Sequence, residues 1–211
     1  MAAALCFCLQ GQNTQSKDPQ IDAKGMPPRT SPAEYQAQAR AGAVTIAAEF
    51  QGHSVPTLQG PLGTEDYVSV ETGLFGSPGA RMTVSSADFS LRINGKKPLP
   101  SLPFGMVVGS VKDPEWELAQ PVDSKPKSSL STGGQDERAD PNAPPPVVKI
   151  PVGIQRGWAQ RIQKAALPEG DRPLPQAGVI FFGYRGKIQS IYSLELIYAG
   201  PAGKATLDLR P

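Results

Sequence analysis

Between Glu65 and Gly95 apolar and polar residues take turns. Val68, Val70, Thr72 and Leu74 alternate with Tyr67, Ser69, Glu71 and Gly73, and Phe89, Leu91 and Ile93 alternate with Asp88, Ser90, Arg92 and Asn94. A period of two sends successive side chains to opposite faces, so both runs predict antiparallel strands with one face toward a core. Asn94-Gly95 follows the second run, and both residues tolerate the positive φ of a type I′ hairpin turn. The predicted returning strand is Phe104 to Val111, with Pro98, Pro100 and Pro103 marking an edge or an irregular crossing. A first strand is predicted over Ala43 to Phe50, where Val44, Ile46, Ala48 and Phe50 share a face. Later strands are Gly178 to Tyr184, Ser190 to Tyr198 (Tyr192, Leu194, Leu196 and Tyr198 against Ile191, Ser193, Glu195 and Ile197) and one presenting Ala205, Leu207 and Leu209.

Two stretches carry a helical pattern instead. Ser31-Pro32-Ala33-Glu34 matches a capping box with proline at the first helical position, predicting a short helix through Arg40 that stops at Gly42. Pro151 to Leu167 puts Ile154, Trp158, Ile162 and Ala165/Ala166 on one face, with Arg156, Arg161 and Lys164 on the rest and Pro168 ending it. Gly153 and Gly157 weaken this helix by about 1 kcal/mol each relative to alanine, so it depends on docking its apolar stripe. A basic amphipathic helix can also lie on an anionic membrane or bind a partner. Seven or eight short strands separated by turn signals, with no strand-helix alternation, predict a mainly β, antiparallel sandwich.

Composition divides the chain. Its 22 glycines and 23 prolines, about a fifth of 211 residues, leave a folded body well short of the full length. Residues 1–12 read as a signal-like leader, because Ala2 to Leu9 is apolar and the chain then turns polar. No Lys or Arg precedes that run, as expected of a signal truncated at its start, and eight apolar residues are too few to span a bilayer. Residues 13–30 read as a flexible tether. Residues 31–118 and 151–211 form the two parts of one sandwich, the second supplying the helix and the closing strands. Between them, 119–150 is Pro-, Ser- and Gly-rich, with little apolar surface to offset chain entropy, and is expected to be a disordered loop. Pro144-Pro145-Pro146 within it reads as a stiff spacer or as a ligand for an aromatic groove.

Charge and candidate chemistry exclude more than they assign. A formal charge of +2 with no basic run gives no footprint for nucleic acid. The only doublet, Lys96-Lys97, reads as a solvated hairpin tip. Cys6 and Cys8, the only cysteines, lie in the leader, so the body has no disulfide, thiol nucleophile or cysteine-ligated zinc. Membrane contact is expected only through the leader or a lipid on one of these thiols, although Leu5 and Phe7 precede them where lipoprotein signals carry small residues. His53, the single histidine, lies in a turn after the first strand and has no Gly-x-Ser-x-Gly elbow to pair with. Ser124-Lys125-Pro126-Lys127 matches Ser-x-x-Lys but lacks the accompanying Ser-Asp-Asn and Lys-Thr-Gly motifs. Trp116 stands among Asp113, Glu115 and Glu117, a setting for a cation or sugar contact or for a loop anchor. No cofactor is expected.

Two blocks carry a resemblance. Tyr67-Val68-Ser69-Val70-Glu71 with Asp88-Phe89-Ser90-Leu91-Arg92-Ile93-Asn94-Gly95 is one. The other is Leu167-Pro168-Glu169-Gly170 with Gly178-Val179-Ile180-Phe181-Phe182 and Leu194-Glu195-Leu196-Ile197-Tyr198. Both resemble immunoglobulin-like domains of exported bacterial proteins of unknown function. The resemblance implies an extracytoplasmic, non-catalytic module and brings no catalytic residues with it. The expectation is therefore an immunoglobulin-like sandwich meeting a protein partner in the cell envelope. Trp116, Trp158, Ile154 and Ile162 are the candidate interaction residues. The alternative is a small-molecule or carbohydrate binder using exposed tryptophans or tyrosines, and catalysis is the least supported class.

Overall fold

The computed structural model describes residues 25–114, Trp116 and residues 150–211. The signal-like leader with Cys6 and Cys8, the tether up to residue 24 and the Pro-rich segment 119–149 lie outside the described residues. In chain order the elements are β1 (Ala37–Ala41), β2 (Val44–Gly52), β3 (Ser54–Val55), β4 (Leu62–Thr64), β5 (Tyr67–Phe75), β6 (Arg81–Val84), β7 (Phe89–Ile93) and β8 (Leu99–Leu102). They continue with α1 (Phe104–Val107), β9 (Val111–Lys112), α2 (Val152–Ala165), β10 (Gly170–Pro173), β11 (Gln176–Gly183), β12 (Leu194–Gly200) and β13 (Gly203–Leu209).

Eight of these strands form one antiparallel sheet in the order β1-β2-β5-β11-β8-β7-β12-β13. Its two edges approach each other, since Gln36 Nε2 donates to the Arg210 carbonyl at 2.9 Å and the turn at Gly42 sits against Ala202. The sheet is thus rolled nearly into a barrel. A mainly β, antiparallel chain is what the alternation predicts. The two facing sheets of a sandwich are replaced by one continuous sheet, because β5 and β11 pair without a break from Leu74↔Gln176 to Tyr67↔Gly183. A register shift between Phe50 and Gly52 bends β2 where the roll requires it.

The predicted alternation packs the interior. Ile46 and Ala48, Val68, Val70 and Leu74, Leu91 and Ile93, Ile180 and Phe182, Leu194, Leu196 and Tyr198, and Leu207 and Leu209 make one buried cluster. A second layer lies outside it. The α2 stripe (Ile154, Trp158, Ile162, Ala165) and the small sheet β3-β4-β9 cover Val179 and Phe181 on the outer face of β11. Strand β11 is therefore apolar on both faces, and Ala177 to Phe182 reads as a continuous run. The chain leaving α2 crosses β11 closely. Leu167 N donates to the Val179 carbonyl at 3.0 Å, and a Cβ on Gly178 would lie 2.3 Å from Leu167 Cα.

Several expectations change. Pro32–Glu34 is a single 3-10 turn whose Ser31 side chain caps nothing, and the residues after it are strand β1. Ala37, Ala39 and Ala41 turn small methyl groups inward while pairing with β2, and tertiary pairing overrides the helical propensity of this Ala/Gln/Arg run. Phe104 to Val111 is not a strand. Leu99–Leu102 returns from the hairpin, and Pro103 starts the short helix α1. Strand β5 is not half-exposed either: Ser69 is fully buried and Glu71 is 7% exposed on its outer face. Ser69 Oγ donates to the Ser54 carbonyl at 2.5 Å. Arg29 Nη2 pairs with Glu71 at 2.9 Å and Glu49 at 2.5 Å, with its guanidinium 4.4 Å above the Tyr35 ring. Arg29 lies in the segment expected to be tether, as does Met26, which bridges to Ala177, so residues 25–30 belong to the body. In the stretch before β12, Ile191 is buried and Tyr192 exposed, the reverse of the predicted phase, because the 3-10 turn Ile188–Ser190 resets it.

Candidate functional site

The four residues singled out from the sequence meet in one place, the outer cluster beneath α2. Trp158 and Ile162 are buried, Ile154 and Trp116 are partly buried, and the two indoles meet edge to face at 5.8 Å and 83°. Arg161 fixes the same helix from its flank. Its Nη1 pairs with Asp113 at 2.7 Å, and its Nη2 donates to the Gln59 and Gly60 carbonyls at 3.1 and 3.0 Å. These side chains hold α2 to the barrel, and Trp116, itself helical, packs on Trp158.

Concave surface with polar groups available lies elsewhere, at the end of the barrel where β7 and β11 finish and β5 and β8 begin. A cavity of about 780 Å³ opens there between the hairpin turn after β7 and the linker from β11 to β12. The turn supplies Asn94, Lys96 and Lys97, and the linker supplies Tyr184, Arg185, Gly186 and Ser190. Asp66, Tyr67, Ile93, Leu99 and Gly183 complete the wall. Its volume lies in the range of small-molecule sites.

The local sequence explains why this mouth keeps its shape. Asn94 has φ +53° and Gly95 φ +67°, and Lys96 N donates to the Ile93 carbonyl at 3.1 Å, as the Asn-Gly turn requires. The Asn94 side chain then rivets the turn to the linker. Its Nδ2 donates to the Ser190 carbonyl at 2.9 Å, while its Oδ1 accepts from Tyr192 N at 2.8 Å and Ser193 N at 3.2 Å. On the other side His53 holds the linker to β5. Its Nδ1 lies 2.7 Å from the Tyr67 carbonyl oxygen and its Nε2 2.9 Å from that of Gly186, with the ring stacked on Tyr184 at 6.2 Å. Both ring nitrogens thus face backbone carbonyl oxygens, one of which accepts the N–H of a neutral ring, and no hydrogen bond joins the imidazole to the Ser190 hydroxyl.

The remaining polar atoms divide into engaged and available groups. Tyr184 OH and Ser190 Oγ are 3.1 Å apart, and Ser190 Oγ donates to the Lys187 carbonyl at 2.7 Å. Arg185 Nε pairs with Asp66 Oδ1 at 2.8 Å, exposed to solvent. Lys96 and Lys97 stand exposed at the rim, and neither ammonium has an ion-pair partner among the described residues. No group of three or more His, Cys, Asp or Glu there is placed to hold a metal ion.

A second cavity, of about 650 Å³, lies between the C-terminal end of α2, Pro103–Phe104 and β11. Its rim is engaged with itself: Ser86 N and Oγ donate to Glu169 Oε1 at 3.0 and 2.6 Å, and Arg172 Nε donates to the Glu169 carbonyl at 3.0 Å. The mouth differs in offering two cations that the fold does not use.

Sequence reasoning passed over this mouth. Lys96-Lys97 reads as a hairpin tip and Arg185-Gly186-Lys187 as a turn, and both descriptions are locally correct. The usable signal was a lysine doublet immediately after an Asn-Gly turn. Its meaning depends on the linker that the β7–β12 and β8–β11 pairings bring beside it. Comparison of the chain with protein-family models, curated proteins and solved structures gives no match.

Proposed function

We propose that the chain is a non-catalytic small-molecule binding module whose site is the open mouth of the barrel. One observation carries this reading: a cavity of ligand size, walled by Tyr67, Tyr184, Ile93 and Leu99, whose shape is set by the hydrogen bonds of Asn94 and His53. Asn94 and His53 hold the linker before any ligand arrives, so little ordering entropy remains to oppose binding. The large apolar side chains exposed among the described residues are Leu58, Met106, Val152 and Tyr192, and none of them lines the mouth. The proposal keeps an extracytoplasmic location on the strength of the apolar run Ala2 to Leu9. Kinship with immunoglobulin-like modules rests on the two sequence blocks alone.

The test is an NMR titration of the full 15N-labelled chain with naphthalene-2-carboxamide, a neutral probe sized for an apolar wall. Saturable shifts are expected at the amides of Asn94, Lys96 and Gly183 to Gly186. Saturable shifts confined to Phe104, Val179 and Phe181 would move the site to the second cavity, and no saturable shift at the mouth with either this probe or its carboxylate counterpart overturns the proposal.

A further inference from the structure

We propose that the ligand of the mouth is an anion with an apolar body, its acidic group held by Lys96 and Lys97. This inference rests on the binding reading above and adds the chemical class. Within the cavity wall the charged groups are Lys96, Lys97, Arg185 and Asp66. Asp66 is engaged by Arg185 at 2.8 Å, so their charges offset each other at the rim. Two positive charges are left without an ion-pair partner among the described residues, on adjacent positions of one tight turn. Adjacent like charges on one turn raise the local positive potential at the rim of the cavity. A ligand that brings one negative group to that rim meets this potential.

The geometry also separates the two ends of such a ligand. The lysines come from the turn, at the solvent rim, while Ile93 and Leu99 belong to the strands it joins and lie deeper: Ile93 is 5% exposed. Tyr184 forms the opposite side, its ring fixed against His53. An acidic group at the rim thus keeps part of its hydration, and the desolvation that makes buried ion pairs costly is avoided. The apolar body gains by leaving water against Leu99 and Tyr184. A carboxylate on an aromatic or short aliphatic frame satisfies both ends. A neutral sugar leaves the lysines unanswered. A nucleic acid strand would call for a longer basic track than one doublet.

The matched probes are naphthalene-2-carboxylate and naphthalene-2-carboxamide, equal in shape and different in charge. Affinities are read from the saturable NMR shifts of Asn94, Lys96 and Gly183 to Gly186 in the full chain at low salt. The carboxylate is expected to bind about tenfold more tightly, the ratio that 1.4 kcal/mol represents. That advantage should shrink at 0.5 M salt, as screening of a rim contact requires. The double variant Lys96→Gln/Lys97→Gln should abolish the gap, so that carboxylate and carboxamide bind this variant equally. Lys164→Gln/Lys204→Gln, which removes the same net charge from exposed positions outside the cavity, should preserve the gap. Equal affinities of the two probes at the mouth of the wild-type chain overturn the anion inference and leave the binding site standing. A gap that survives in Lys96→Gln/Lys97→Gln overturns the assignment to these lysines. Absence of saturable shifts with both probes overturns the site and the inference together.

Discussion

The two ends of the barrel are built from the same strands and differ in what their connections do. At the end where β12 turns into β13, the turns are short and close on one another. Phe89 and Tyr198 are 2% and 1% exposed with rings 5.0 Å apart, and Tyr198 OH accepts from Ala202 N at 3.3 Å. A Cβ on Gly200 would lie 2.5 Å from both Tyr198 OH and Asp88 Oδ2, so backbone and side chains fill that end. At the other end the β11–β12 linker runs ten residues, from Tyr184 to Ser193, and arches beside the hairpin turn. Ile191 closes the core beneath it, and the space between arch and turn stays open. One end is sealed by packing, whereas the other is propped open by hydrogen bonds from Asn94 and His53. Stability is concentrated at the sealed end and the proposed binding at the open one, and the contrast can be attacked from either side.

The largest expected effect comes from removing equivalent rings. Tyr198→Ala at the sealed end should cost about 3 to 5 kcal/mol in denaturant unfolding, as ring deletions in cores do. Tyr184→Ala at the open end should cost about 1 kcal/mol, in the range of partly exposed changes. Equal losses would erase the distinction. Gly200→Ala comes next, because its methyl group must displace Tyr198 OH or Asp88. About 1 to 3 kcal/mol is expected from such overpacking, read as a lower melting temperature.

Charge separates the ends as well. Burial raises the carboxyl of Asp88 above its ordinary value, and the Glu169 carboxylate adds to the effect. The folded chain therefore holds the Asp88 proton more tightly than the unfolded chain does. The stabilising contribution of that proton is complete below the unfolded pKa and is lost as pH rises through the folded one. Asp88→Asn should accordingly be more stable than wild type at pH 7, with the advantage closing as the pH falls below about 4. A constant difference across that range would place the effect in packing instead. The smallest effect belongs to the open end: Lys96→Gln/Lys97→Gln should leave the melting free energy within about 0.5 kcal/mol of wild type. A clear loss would mean that the fold uses these lysines.

The interior of the barrel was legible in the sequence because alternation is a local property. Val68 to Leu74, Phe89 to Ile93 and Leu207 with Leu209 face inward as the period of two requires, and α2 presents the stripe of Ile154, Trp158 and Ile162. Asn94-Gly95 marks its turn for the same reason. Closure was not legible, since it depends on β1 meeting β13 across nearly the whole chain, and β1 carries only alanines as its apolar signal. The outer layer hid in a similar way. Glu71 reads as a solvent-facing carboxylate until Arg29, 42 residues away, is placed on it. The mouth combines both difficulties, because positions 94–97 and 184–190 are unremarkable separately and become a cavity only through the pairing of β7 with β12.

The most direct measurement is of contacts at the open end. In the complex of the full chain with naphthalene-2-carboxylate, intermolecular NOEs should connect the naphthyl protons with the methyl groups of Leu99 and Ile93 and with the ring of Tyr184. NOEs to Phe104 and Phe181 in their place, or to none of these side chains, would contradict the account of the open end as the binding site.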